Sequence, residues 1–585
     1  MLFLGAMFLS CRVFAQDPAG AATKVREWDY IPRYGGKEIP RPADEEFLKL
    51  VPPLRPVPLF AKSAQNLGMA IWWGDYSVQL FSEQPPLPAD LTRKAEVQTP
   101  AGEDEPLVLG LWGLRNVGSV NLTVKNTPLP MTIRRVNFAP RYVPGGSENE
   151  PRVKGGRVLG IANFLFPKAA AEVSAGANTV FWINICVPAD TKPGKYTASL
   201  ELAVQGSGKV IPLPVTIQVL NYRLPKAEIV YGMYFRPFHG SNLPDRFLTR
   251  EWLRLYFRDM ARHGMTSASL YNRGTGAKAF FQTPPDKEGR VSLGNHPEIL
   301  FLRDMMEDGL VTRNLPIMYL AGGIEPDGSA TAIKNELTKL GLPEFLIYGP
   351  DEPAVNDQSL ATFQSRQPYR KDFRLVTAIT ERAATAYADL LDVWVVNGGL
   401  ITPELRQLAA RKGAEVWTYD CAHRGSGNST WSRFYAGLYT WALELTGNWL
   451  WCYTEGFYWE GGKVRSGEEN IDWFPTHAFV LTGDEGIVPS IEWEARREGV
   501  EDYRTLRMLQ KLIEARPESA VGKKAAEWLT KTKSRVDWNL GRTMPFTMYP
   551  WDVPEVYPSC PNFEPSELSE VRMKAIDYIN RLSTK

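Results

Sequence analysis

The sequence predicts a multidomain chain: an N-terminal antiparallel β-sandwich, a (β/α)8 barrel-like catalytic domain, and a C-terminal extension of a strand pair and helices. Three observations predict it. Short alternating segments separated by turn signals fill the stretch from 65 to 222, the mark of an all-β sandwich. From residue 225, strand-like runs alternate with amphipathic helical runs through eight repeats, the count a (β/α)8 barrel needs. At 585 residues the chain is also too long for one ordinary domain.

The elements follow in order. Residues 1–15 (MLFLGAMFLSCRVFA) have an apolar run ending in the small-x-small pattern Val13-Phe14-Ala15, a secretory signal peptide that directs the product to a secreted or periplasmic location. Residues 16–60 are rich in Pro, charge and turn formers and read as an extended lead-in. The sandwich spans 61–224, with LVLGLWGL, VNLTV, NTVFWINICV, YTASLELAV and IPLPVTIQVL as its clearest strands. In the barrel, 225–475, the strands are IVYGMYF, SASLY, PIMYLAG, FLIYG, RLVTAI, VWVVNG, EVWTYDC and NWLWCYTE. Helices are expected around 249–263, 297–309 and 331–340 between the first four. The extension, 476–585, should pack on the barrel: FVLTG and GIVPSIEW as a strand pair, then the charged helix EARREGVEDYRTLRMLQKLIEA and two more.

Composition narrows the function. Hydrophobic residues at 44% and charged residues at 23% are ordinary globular values, and a net charge of +1 without basic blocks gives no sign of nucleic acid. No later run approaches the roughly 20 apolar residues of a spanning helix. The 18 Trp and 23 Tyr are an excess, suited to core filling and to stacking on sugar faces. Cys186, Cys421, Cys452 and Cys560 form no metal-spaced cluster and the five His are scattered, so no metal or cofactor is expected. Cys421 and Cys452 fall on consecutive expected strands; a disulfide between them is one reading and two buried thiols the other. G-x-S-x-G, Walker and dinucleotide fingerprints are absent.

The segment FLIYGPDEPA, 345–354, sets the chemical question. Asp351 and Glu352 follow the fourth barrel strand, on the face where such barrels carry their chemistry. Successive strand side chains point to opposite faces; Gly349, Pro350 and Pro353 supply the means to bend the chain so that both acids face one ligand. A proline-bounded surface turn is the plainer alternative. Ordinary retaining glycosidases set two carboxylates roughly 5–5.5 Å apart across the sugar, which sequence neighbours do poorly. Adjacent acids suit substrate assistance: the 2-acetamido oxygen of the sugar attacks the anomeric carbon, Asp351 steadies the acetamido N–H, and Glu352 is the acid/base. Like-charge repulsion and partial burial both favour a protonated acid at such a site.

On these residues the chain resembles glycoside hydrolase family 123, the β-N-acetylgalactosaminidases. The resemblance rests on Tyr348-Gly349-Pro350-Asp351-Glu352-Pro353, on WINICVPADTKPGKYTASLEL, and on IVPSIEWEARREGVEDYRTL with Arg496, Glu498, Asp502 and Tyr503. It implies release of terminal β-linked N-acetylgalactosamine, or a related 2-acetamido hexosamine, with Asp351 and Glu352 catalytic. It also implies an aromatic subsite, for which Tyr419, Trp451 and Tyr453 are the candidates. The eighth strand, NWLWCYTEGFYWE, is busier than the family pattern. Asp420 or Glu455 could instead bind sugar hydroxyls, or pair with Glu352 in a conventional two-carboxylate glycosidase. A catalytically silent glycan-binding protein is the other alternative. Arg236, His239, Asn272 and Arg273 follow the first two barrel strands and could touch a sugar or serve the fold.

Overall fold

The computed structural model describes residues 51–143, 154–235, 243–271, 279–320, 329–397, 401–420, 428–454, 456–466, 469–470, 478–536 and 562–583, with short pieces of the first fifty. The expected signal peptide and most of the lead-in lie outside the described residues.

Two five-stranded sheets form the N-terminal unit. In the first, the order is Met69–Gly74, Asp104–Gly113, Asn178–Cys186, Met131–Val143, Arg157–Phe166, antiparallel throughout. In the second it is Glu96–Pro100, Lys209–Leu220, Gly194–Val204, Gly118–Asn126, Ala170–Val173. The expectation of antiparallel pairing fails at one edge, where Glu96–Pro100 runs parallel to Lys209–Leu220. That strand enters by crossing over from the first sheet, not through a hairpin, so its direction is not tied to its neighbour's. Leu109, Leu111, Phe181 and Ile183 of one sheet share a core with Val120, Leu122, Leu200 and Ile217 of the other. Val108, Trp182 and Ala162, on the opposite face of the first sheet, meet Ile491 of a C-terminal helix. Burial on both faces is why LVLGLWGL is a continuous apolar run while the second sheet's YTASLELAV alternates.

Eight parallel strands then form a nearly closed barrel: Val230–Met233, Ser267–Tyr271 (split at Ser269), Ile317–Leu320, Phe345–Tyr348, Leu375–Ile379, Val393–Asn397, Glu415–Asp420 and Gly447–Leu450. The first strand pairs with the eighth, completing the ring. Helices Arg250–Arg262, Pro297–Glu307, Ala330–Lys339, Asp357–Arg366, Glu381–Ala386, Pro403–Lys412 and Ser429–Phe434 fall in the connections. Inside the ring Leu346, Met318, Val376, Val395, Trp417 and Trp449 pack together, and the two indoles stack at 6.2 Å. Gly232 makes room for them, since a Cβ there would collide with the Trp449 ring.

The strand pair expected after 475 exists as Val480–Gly483 and Gly486–Pro489, but belongs to a five-stranded sheet with Phe457–Glu460, Lys463–Ser466 and Glu469–Asn470. This sheet straddles residue 475 and explains the busy segment after 447: strand eight stops at Leu450, and FYWE starts another sheet. Ile491–Trp493, expected in a strand, opens the helix Ile491–Glu514, because the Ser490 hydroxyl accepts the Trp493 amide and caps it.

That helix is buried although charged, because its charges are rivets. Arg496 donates to Asn448 of strand eight at 2.8 Å. Asp502 receives Arg433 at 2.6 Å, and Glu498 receives Tyr76 of the N-terminal unit at 3.0 Å and Arg572 of the last helix at 2.6 Å. Tyr503 meets Tyr231 edge-on at 5.6 Å. Gly499 and Gly437 let this helix cross the one after strand seven; a Cβ on Gly437 would stand 2.7 Å from the Gly499 carbonyl oxygen.

Candidate active site at the barrel mouth

Strand four is four buried residues, Phe345–Tyr348, held to strand five by the Ile347 amide on Arg374 O (3.0 Å) and the Gly349 amide on Val376 O (2.7 Å). The next bond in line comes from Glu352, whose amide reaches Ala378 O at 3.0 Å. Three residues of strand four thus advance against two of strand five, so one residue is inserted. This is a β-bulge at the barrel rim, and an inserted residue resets the alternation of side chains. Pro350 has no amide to pair, and its carbonyl accepts from Thr377 Oγ1 at 2.5 Å. Glu352 then takes a left-handed backbone, φ 41°. For a residue with a side chain this costs roughly 1–2 kcal/mol. Gly349 keeps a negative φ and serves instead by its size, since a Cβ there would stand 2.8 Å from Phe363.

Both acids are exposed at the mouth, and each is gripped by a tyrosine of the barrel interior. The Tyr348 hydroxyl donates to Asp351 Oδ1 at 2.6 Å, and the Tyr419 hydroxyl donates to Glu352 Oε1. Burial, then the neighbouring Glu352 charge, pushes the Asp351 carboxyl up to about 6 against the opposing pull of the Tyr348 hydroxyl. Asp351 also presents open surface, so its surroundings are a recessed rim rather than a sealed cavity.

The other expected residues divide. Tyr419 sits on the inward register of strand seven, and Trp451, just past strand eight, is half-buried with its ring 5.5 Å from Tyr234. Asp420 takes the opposite register: its buried carboxylate accepts the Trp431 indole N–H at 2.7 Å, among the helices. Tyr453 also faces the helix layer, where its hydroxyl and the Trp493 indole share Asp259 Oδ2 at 2.8 and 2.9 Å. Glu455, Arg236, His239, Asn272 and Arg273 lie outside the described residues, as does Cys421; the Cys452 thiol meets the Thr454 carbonyl at 3.7 Å. Sequence reading missed Tyr348 and Tyr234. Counting by twos from Leu346 would have found Tyr348 on the inward face.

Among the described residues one acidic trio has the closeness of a metal site: Glu105, Glu498 and Glu501, with ligand atoms within 4.8 Å of one another. Arg572 Nη1 stands 3.7, 2.6 and 3.7 Å from their carboxylates, so a guanidinium supplies the cation there. No described helix is long and apolar enough to cross a membrane.

No protein-family model matches the chain, and no curated protein sequence does. Among solved structures, a family 123 glycoside hydrolase from Clostridium perfringens, studied for glycolipid glycan hydrolysis, aligns over 88% of this chain and 97% of its own. The TM-score is 0.57 at 12% identity, so over that 88% the chain shares the fold of that hydrolase. A Parabacteroides merdae β-glucuronidase aligns over 60% of this chain and 45% of its own, with TM-score 0.22 and 12% identity. A putative α-galactosidase from Bacteroides fragilis aligns over 61% and 72%, with TM-score 0.23 and 11% identity. Those two scores are too low to bear on this chain.

Proposed function

We propose that the chain is an exported glycoside hydrolase that removes terminal β-linked N-acetylgalactosamine, or a related 2-acetamido hexosamine, with retention. In this reading the N-terminal sheets are a β-sandwich and the parallel ring a (β/α)8 catalytic barrel. The observation that carries it is the bulge that turns two consecutive acids to one mouth, each on its own tyrosine. Neighbouring carboxylates reach neighbouring substituents of one sugar, which is what substrate assistance requires. The acetamido oxygen attacks the anomeric carbon while Glu352 gives its proton to the leaving glycosidic oxygen. Ionised Asp351 accepts the acetamido N–H and balances the positive charge spreading over the oxazolinium. Glu352 then takes a proton from the water that opens this ring, restoring the β-anomer. The half-buried indole of Trp451 offers an apolar surface to a sugar face at the same mouth. The fold shared with a hydrolase of glycolipid glycans agrees with a glycan substrate.

The test is turnover of p-nitrophenyl β-GalNAc and β-GlcNAc, with the plain β-galactoside as control and the product anomer read by NMR. Asp351→Asn and Glu352→Gln are each expected to lose about a hundredfold or more, the scale of removing a charge-stabilising or proton-transfer group. A folded protein that spares both acetamido substrates, or cleaves the plain galactoside as well as them, removes the proposal.

A further inference from the structure

Tyr348 has a position that strand geometry alone does not demand. It is the last residue of strand four, 5% exposed, and it points into the barrel interior. Its hydroxyl oxygen accepts the Ala378 amide of strand five at 3.0 Å, so a backbone donor of the sheet is spent on a side chain. With that N–H on its oxygen, the hydroxyl proton is directed to Asp351 Oδ1 at 2.6 Å. The hydroxyl of Tyr234, just past strand one, lies 3.4 Å from the same oxygen, and the two rings meet edge-on at 6.5 Å. The chain Ala378 N–H, Tyr348 O–H, Asp351 carboxylate therefore runs from the rigid sheet to the acid across the bulge. Donation into the phenolic oxygen polarises its O–H and strengthens the bond it makes onward.

We infer that Tyr348 is the positioning residue of the site: it fixes the Asp351 carboxylate through Oδ1 and leaves Oδ2 for the acetamido N–H. The inference rests on the acetamido-hydrolase reading and adds to it the group that makes Asp351 usable in slightly acidic medium. The direction follows from burial and two neighbours. Burial and the Glu352 charge both favour the protonated carboxyl, and the Tyr348 donor opposes them. Two further titratable groups reach this pair: Tyr419, bonded to Glu352 from strand seven, and Tyr234, just past strand one, whose hydroxyl lies against that of Tyr348.

The experiment compares the full chain with Tyr348→Phe, and with Tyr234→Phe as the control that leaves the Asp351 bond in place. Asp351 is followed by 13C-carboxyl NMR of Asp-labelled protein, its signal assigned by its loss in Asp351→Asn. Loss of a hydrogen bond to a charged group should raise the Asp351 midpoint by about one pH unit in Tyr348→Phe. The acidic limb of kcat/KM should move with it, a loss of about ninefold at pH 5 and nearly none at pH 8, beyond any constant factor. Tyr234→Phe should shift the midpoint by less than a third as much. If Tyr348→Phe folds poorly by near-UV circular dichroism, 3-fluorotyrosine installed at position 348 supplies the opposite perturbation, a stronger donor and a lower midpoint. An unmoved midpoint, or a loss equal at every pH, overturns the role. Failure of the parent protein on acetamido substrates would instead overturn the hydrolase reading, and the carboxyl titration would still decide what Tyr348 does.

Discussion

Glu105→Gln should make the protein more stable at alkaline pH. Glu105 lies on the first sheet, 7% exposed, and its Oε2 has no hydrogen-bond partner. Burial, and then the Glu498 charge, raises its carboxyl to about 8, against the pull of Arg572, whose Nη1 is 3.7 Å from Oε2. A folded-state value above the unfolded 4.5 means that the folded protein binds the proton more tightly. That stability is fully present below about pH 4.5 and is lost as pH climbs to about 8. The gap corresponds to a limit of about 5 kcal/mol at 1.36 kcal/mol per pH unit. Glu498 and Glu501 crowd the same Arg572 socket and share the repulsion, so a net effect of about 2 kcal/mol is the expectation. Gln copies the protonated carboxyl in size and charge, so urea midpoints at pH 5.5 should nearly coincide. At pH 9 the variant should unfold at higher urea than the parent, whose stability falls across the interval. An unchanged slope with pH, or a variant weaker than the parent at pH 9, would refute the buried-charge account.

Two further outcomes follow from the same geometry. Tyr419→Phe removes the hydrogen bond that orients the Glu352 carboxyl, and its loss predicts about a tenfold fall in kcat/KM, roughly 1.4 kcal/mol; activity within twofold of the parent contradicts the placement. Gly499→Ala drives a Cβ into the Arg433 carbonyl and to 2.9 Å from the Ala436 Cβ, where neither helix can yield cheaply. A loss of about 3 kcal/mol in urea denaturation is expected, and a neutral result would mean the crossing is looser than described.

Much of the barrel is legible in the sequence. Arg250–Arg262 was expected as 249–263 and Pro297–Glu307 as 297–309, because an amphipathic helix closes with a cap and a periodic apolar stripe that local residues display. Strand four and its two acids were legible for the same reason: an apolar run, a Gly-Pro break, a proline stop. Less legible was Ile491–Trp493, where Ile-Glu-Trp fits strand and helix alike until Ser490 is seen to cap it. The parallel edge strand Glu96–Pro100 carried no local signal either, since strand direction follows from which sheet the chain has just left.

That a proline-bounded Asp-Glu pair closes the fourth of eight strand segments follows from residue type and spacing alone. Where those acids and their neighbours point is set by contacts between segments far apart in the chain. One inserted residue at the rim reverses the side-chain alternation, bringing Asp351 and Glu352 to one face. Register on strand seven gives Tyr419 to the mouth and Asp420 to Trp431. Facing is set by hydrogen-bond register between strands distant in sequence, and a single-residue step exchanges inside for outside.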